Sequence, residues 1–269
     1  MSRPLSIIVL IKQVPEIEKV KFDFKTGRLD RSSAGAVINP FDLNALEAAV
    51  RIKEKIGAIV TAISMGPKTA ENSLRDAIAR GADKAILLTD IRFAGADTLA
   101  TSYTLASAIR KLGSFDLVVC GEKTIDGDTA QVGPEVAEFL GIPHVAYVEE
   151  IREVNRDEIL VKSKMGRSYY LIALSFPGLI TVTKDVNTPR LPNLRDKIRS
   201  RKAKIIIWNA DSLSDVAEAN RFGVSGSPTT VAKVYAPRTE KRKGKIFDRN
   251  LEESAREIVS VLKELNVIG

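Results

Sequence analysis

Four short apolar runs, LSIIVLI (5–11), AIVTAIS (58–64), AILLT (85–89) and FDLVVC (115–120), recur along the first half of the chain. None alternates with polar residues as a half-exposed strand would, so each predicts a strand buried on both faces. Helical patterns separate them. In DLNALEAAVRIKEKIG, Leu43, Leu46 and Val50 share a face, Asp42 is placed to cap the start, and Gly57 to end the helix. KTAENSLRDAIARGAD and ADTLATSYTLASAIRKLG repeat the plan, with Gly81 and Gly113 as stops. This alternation restricts the fold to α/β with a doubly wound, mainly parallel sheet. With 269 residues, 44% of them apolar, the chain suffices for one large α/β domain or for a domain plus an extension.

The texture changes after residue 150. EILVKSK and SYYLIAL flank Met165-Gly166-Arg167 and predict an antiparallel hairpin added to the sheet. GLITVTK and AKIIIW supply two more strands, and DVNTPRLPNLRDKIRSRK between them reads as a surface loop running into a helical turn. From Gly223 the chain reads as an extended arm ending in an amphipathic helix, with Leu251, Ala255, Ile258, Val259 and Leu262 on one stripe. The expected division is 1–222, an α/β domain that includes the 151–204 region, and 223–269, the arm and helix. The helix stripe is expected to pack on a partner subunit, or back on its own domain.

Composition narrows the functional classes. Forty-one basic against 34 acidic residues give a net charge of +7, which suits a nucleic acid, an anionic cofactor or an acidic protein surface. Aromatics are 6% and do not alternate with the basic residues, against a single-strand stacking platform. Cys120 is the single cysteine, which excludes an internal disulfide and a cysteine-based metal cluster. The run in MSRPLSIIVLIKQVP is far shorter than the roughly 20 residues that span a bilayer, and no signal cleavage pattern follows. A reducing cytoplasm is expected, with no membrane insertion.

The segment CGEKTIDGDTAQVGPEVAEFLGIP (120–143) joins the fourth strand to a helical pattern. Free amides at a helix start beside flexible Gly127 favour a phosphate. Asp126 and Asp128 oppose one unless they point to ribose hydroxyls or backbone amides. The same residues also read as a plain turn in which Thr129 or Asp128 caps the helix. No GxGxxG or Walker pattern occurs. KQVPE (12–16), INPFD (38–42), SMGPKTA (64–70) and FAGADTLATS (93–102), the last with Asp97, Thr98 and Thr101, are expected at one sheet edge. Ligands bind at that edge in open α/β sheets.

Reactive side chains are scarce. His144 reads as a structural residue at a strand start and Cys120 as core filler. No nucleophile–base pair emerges, so a hydrolase is disfavoured and no catalytic or metal-binding residue is assigned. The run RDKIRSRKAK (195–204) suits nucleic acid, an acidic protein or simple solvation. Leu191, between two prolines on a polar loop, is placed to anchor a partner protein.

IKQVPE, INPFDLNALEAA, MGP, GADKAILLTD, GADTLATS, CGEKTIDGDTAQVGPEVAEFLGIP, PRLPN and GSPT run the length of the chain. Together they make it resemble the β subunit of electron-transfer flavoprotein, the FixA group. The resemblance implies an adenine-nucleotide-binding α/β fold and a heterodimer with an FAD-binding α subunit. It implies exchange of electrons with flavin dehydrogenases and a quinone oxidoreductase. It also implies a nucleotide on the β side, with Leu10, Asn39 and Met65 at the adenosine end. Gly121, Glu122, Lys123, Thr124, Ile125 and Asp126, then Gly127, Asp128, Thr129, Ala130, Gln131 and Val132, would wrap the ribose and phosphate. Leu191 falls where the family docks its dehydrogenases. That nucleotide is AMP in the simple carriers and FAD in the electron-bifurcating members. FAGADTLATS resembles the latter, with Asp97, Thr98 and Thr101 helping to hold the longer cofactor. The resemblance thus implies FAD, with electrons from NADH divided between ferredoxin or flavodoxin and the α-subunit FAD.

Overall fold

All four apolar runs lie in one nine-stranded sheet, as the alternation predicts. Elements are numbered here in chain order. The central strands are β1 (Leu5–Leu10), β6 (Ala58–Met65), β7 (Lys84–Leu88) and β8 (Leu117–Gly121). They are joined by β9 (His144–Val154), β10 (Glu158–Met165), β11 (Ser168–Ser175), β12 (Gly178–Val182) and β13 (Ile206–Trp208). The spatial order is β11-β10-β9-β12-β8-β1-β6-β7-β13. From β9 to β13 every neighbouring pair is parallel, and β10 and β11 add the expected antiparallel hairpin at one edge. Four further strands, β2 (Gln13–Pro15), β3 (Lys21–Asp23), β4 (Arg28–Asp30) and β5 (Ala36–Ile38), pair as two small ribbons, β2 with β5 and β3 with β4. The structure, a computed structural model, describes residues 3–16, 21–23, 28–30, 35–230, 232 and 250–268.

Helices cover both faces. On one, α1 (Pro40–Ile56) and α2 (Glu71–Ala79) set Leu46, Ala49, Leu74 and Ala77 against Ile7, Val60 and Val119 of the sheet. α5 (Leu194–Lys202) lies outside α2, where Arg75 donates to the carbonyls of Ser200 and Arg201. On the other, α3 (Thr98–Leu112) and α4 (Val132–Leu140) pack Tyr103, Ile109 and Val136 onto Ile8, Ile63 and Val118. Truncating one such fully buried leucine or isoleucine to alanine costs about 2–5 kcal/mol. Gly57 (φ 77°) and Gly113 (φ 90°) end α1 and α3 in backbone conformations that favour glycine, as expected.

Two caps differ from the sequence reading. The N-cap of α1 is Asn39, followed by Pro40, and Asp42 lies inside the first turn. The N-cap of α4 is Gln131, and no side chain caps it; Asp128 and Thr129 lie too far upstream. Short 3-10 turns also intervene: Lys68–Ala70 precede α2.

The chain divides into two units, Met1–Thr230 and Val231–Gly269. In the second, Asn250 caps α6 (Leu251–Glu264) by accepting from the Glu253 amide at 2.9 Å. Leu251, Ile258 and Val259 of the expected stripe are exposed. Residues 231 and 233–249 of the expected arm lie outside the described residues. No helix among the described residues is long and apolar enough to cross a membrane.

Candidate functional site

The winding of the sheet reverses at β1. The chain moves outward through β6 and β7, then returns through α3 to β8 on the other side of β1. The loops after β1 and β8 therefore diverge to opposite faces and leave a crevice at the carboxyl edge, the usual ligand position in such sheets.

The start of α1 closes the base of that crevice. Asn39 is fully buried, its amide group donating to the Lys123 carbonyl at 2.9 Å and accepting from the Ile125 amide at 3.2 Å. The backbone amide of Asn39 donates in turn to the Lys12 carbonyl at 2.9 Å. Asp42 accepts from the amides of Lys12 (2.8 Å) and Gly121 (3.0 Å). The fit leaves no room for a side chain at 121: a Cβ there would lie 2.5 Å from Asp42 Oδ1 and 2.6 Å from Phe41 Cβ. INPFD thus holds the β8 loop from below.

Above this base the β8 loop is unusual. Asp128 and Ala130 have positive φ, 53° and 54°, a costly conformation for residues other than glycine. Gln131, which follows Ala130, is right-handed (φ −101°, ψ −36°). Successive left- and right-handed residues point their amides inward as an anion-binding nest. Among the described residues, none accepts a hydrogen bond from the amides of Thr129 to Gly133. Pro134, next in α4, has no amide to satisfy. Five amides without an acceptor among the described residues, at and just before a helix start, are suited to a phosphate.

The two carboxylates that would repel one are neutralised. Asp126 pairs with Lys12 Nζ at 2.7 Å, and Asp128 with Lys123 Nζ at 2.8 Å. Burial works against the charge on Asp126, yet hydrogen bonds from Lys12 and Thr124 hold its carboxyl below the usual range. Hydrogen bonding to Asp128 raises Lys123. Burial raises Glu122, the first loop residue after β8. Gly127 is exposed, and among the described residues a Cβ there would meet only Thr124 Oγ1, at 3.4 Å.

Leu10 and Met65 end β1 and β6 at the same edge and pack towards α3 and α4. The start of α3 is bound to the start of α4: Thr98 and Ser102 donate to the Glu135 carboxylate at 3.1 and 2.9 Å. Asp97 caps α3 through the Ala100 amide and accepts from Thr229 Oγ1 at 2.8 Å, while its own amide donates to Ser227. Its carboxylate is thereby engaged within the chain. Thr101, one turn into α3, is half-buried. Ser102, Glu135 and Asp42 were not singled out as site residues from the sequence. The one local signal for Asp42 was its position three residues after Asn39.

Elsewhere, His144 is exposed at the start of β9. Cys120 is buried, and burial together with the nearby Asp42 raises its thiol well above the ordinary value, so it is no thiolate nucleophile. Leu191 is 86% exposed on a firmly held loop. Arg190 beside it binds Glu47 at 2.7 Å and Glu54 at 2.6 Å, and Arg80 donates to the Arg190 carbonyl.

Comparison with known proteins agrees with this architecture. The family model for the electron transfer flavoprotein domain matches residues 26–213. Electron transfer flavoprotein subunit beta of Thermoanaerobacterium thermosaccharolyticum is 45% identical over 265 residues, 98% of this chain and 100% of that protein. Protein FixA of Azorhizobium caulinodans is 40% identical over 250 residues, 91% of this chain and 89% of that one. Caffeyl-CoA reductase-Etf complex subunit CarD of Acetobacterium woodii is 40% identical over 265 residues, 98% and 100% of the two chains. The chain therefore belongs to the electron transfer flavoprotein family, among its β subunits and FixA proteins.

Proposed function

We propose that this chain is the β subunit of a heterodimeric electron-transfer flavoprotein and that its crevice holds FAD. The observation that carries the nucleotide reading is the run of uncommitted amides from Thr129 to Gly133 at the start of α4. A ligand phosphate there gains donors and the favourable end of the helix dipole. Lys12 and Lys123 each offset a carboxylate of the loop, which removes the repulsion that Asp126 and Asp128 would otherwise exert on a phosphate. Leu10 and Met65 offer an apolar floor at the ends of β1 and β6.

FAD is favoured over AMP by the second helix start. Thr98 and Ser102 fasten the beginning of α3 to Glu135 of α4, so two helix N-termini lie side by side at the carboxyl edge. A dinucleotide has phosphates for both; AMP needs one. When bound, the flavin supplies two-electron uptake from NADH and one-electron delivery to separate acceptors, ferredoxin or flavodoxin and the α-subunit FAD. The protein's part is to hold the phosphates, keep the carboxylates of Asp126 and Asp128 turned away, and present docking surfaces. Leu191 is one such surface, for a flavin dehydrogenase. The stripe of α6 is another, for the α subunit. The similarity to CarD, a subunit of a caffeyl-CoA reductase-Etf complex, supports assembly with a partner enzyme.

The AMP reading has one observation in its favour: Asp97 is already engaged by Ala100 and Thr229. Co-purification with the α partner and counting of released nucleotides decides between them. Two FAD and no AMP per heterodimer is the expected result. One FAD and one AMP would make this chain the subunit of a simple carrier.

A further inference from the structure

Asp42 is the most buried acid at the crevice, with a relative exposure of 5%. A carboxylate so placed loses most of its hydration, which is costly unless its oxygens are fully engaged. Asp42 lies in the first turn of α1, where a negative charge suits the helix dipole, but it is not the N-cap residue, which is Asn39. The two oxygens reach outward from the helix, Oδ2 to the Lys12 amide after β1 and Oδ1 to the Gly121 amide at the end of β8. These are the two walls of the crevice. We propose that Asp42 is a positioning residue whose carboxylate clasps the loops after β1 and β8 at their nucleotide-binding separation, and that protonation loosens the clasp. This inference rests on the nucleotide reading above and names the group that sets the shape of that site.

The chemistry of the bridge explains the choice of residue. Two amides converge on one side chain, and each needs an acceptor. An ionised carboxylate presents two acceptor oxygens, whereas an asparagine presents one and turns an NH2 group towards the other donor. A protonated aspartate fails in the same way, because one oxygen then carries a hydrogen that faces an amide hydrogen. Gly121 is matched to this arrangement, since any Cβ there would crowd Asp42 Oδ1.

The clasp can open near neutral pH. Burial pushes the Asp42 carboxyl up to about 7, against the pull of the Lys12 amide, the Asn39 side chain and the Gly121 amide. The titratable groups that act on it are Lys12, from the loop after β1, and Cys120, from β8. The Lys12 ammonium is committed to Asp126, and the Cys120 thiol is held protonated by burial. The proton that comes and goes is therefore that of Asp42. The ionised clasp is expected above neutrality and the loosened one below it.

The test is the rate at which the purified heterodimer releases its own nucleotide, followed by filtration and chromatography between about pH 6 and pH 8. A hydrogen bond to a charged acceptor predicts release at least about ten-fold faster at the acid end. Asp42→Asn is expected to release rapidly throughout, with a pH dependence of less than about two-fold. A purely structural role for Asp42 would lower thermal stability and leave the pH dependence of release intact. Should the variant fail to fold, the wild-type amide resonances of Lys12 and Gly121 serve: they should titrate together, with the midpoint of nucleotide release. Release from the wild type that does not vary with pH, or an Asp42→Asn protein that behaves as wild type, overturns the clasp. So do amide resonances that do not titrate. A heterodimer that purifies without nucleotide overturns the proposed function instead, and the clasp then stands or falls on the amide titration.

Discussion

Replacing Asn39 by alanine tests the base of the crevice at a fully buried position. The side chain is fully buried and makes two loop contacts, to the Lys123 carbonyl at 2.9 Å and from the Ile125 amide at 3.2 Å. Each bond is worth about 1 kcal/mol net, and a buried group left without a partner costs about 1–3 kcal/mol. Two such groups set the expected loss at about 2–4 kcal/mol. Asn39→Asp separates polarity from size. It keeps an acceptor for Ile125 but turns an oxygen onto the Lys123 carbonyl, and it buries a charge, so it should be at least as unstable as alanine at neutral pH. Urea unfolding followed by circular dichroism measures both, using shifts in midpoint at constant slope. Nucleotide occupancy should fall in step, because the strapped residues lead directly into the amide run. An Asn39→Ala protein within about 0.5 kcal/mol of wild type, the range of a neutral surface change, would refute the reasoning. So would an Asn39→Asp protein more stable than the alanine variant.

Gly121→Ala places a Cβ 2.5 Å from Asp42 Oδ1 and 2.8 Å from the Phe41 carbonyl carbon, so α1 must shift; the expected loss is at least about 1–3 kcal/mol, read from thermal unfolding. Arg190→Ala strips the buried Glu47 carboxylate of its cross-loop partner and should cost up to about 3 kcal/mol at pH 7. Burial opposes the charge on Glu47, but Arg190 and Arg51 hold its folded value below the ordinary one. The pair's contribution is therefore complete above the unfolded pKa and is lost as pH falls through the lowered folded value. Acid titration of stability should show that loss in the wild type and a smaller one in the variant. For Gly127→Val, the added Cβ meets only Thr124 Oγ1 among the described residues, so unchanged stability with reduced nucleotide retention is the expected outcome. Unchanged retention would remove that turn from the site. Leu191→Ala should leave stability within about 0.5 kcal/mol and lower the rate of electron transfer with the partner dehydrogenase; an unaltered rate would exclude the leucine as an anchor.

The strands at 5–10, 58–65, 84–88 and 117–121 were legible because a buried parallel strand must be apolar on both faces, and that demand is met locally. The glycine stops at Gly57 and Gly113 were legible for the same reason, since each follows its own helix. The place of β12 between β8 and β9 was not. Its Leu179 pairs with both Val118 and His144, and no periodicity within GLITV distinguishes that slot from the sheet edge. The β8 loop was recognisable as a candidate from its composition and from its resemblance to a family. Its free amides and the positive φ of Asp128 and Ala130 became visible only with the backbone in place.

Asp42 and Asp97 show where local reading ends. Both lie near helix starts, where an aspartate normally serves as a cap. Asp97 does cap α3, and it also binds Thr229, 132 residues later. Asp42 caps nothing and bonds instead to amides 30 residues earlier and 79 residues later in the chain. The sequence by itself determined the layers and the periodicity, and it marked the loop after β8 as a candidate site. Only the tertiary structure decided which carboxylates are buried and which backbone amides they meet, because those partners are brought together by the reversal of the sheet at β1.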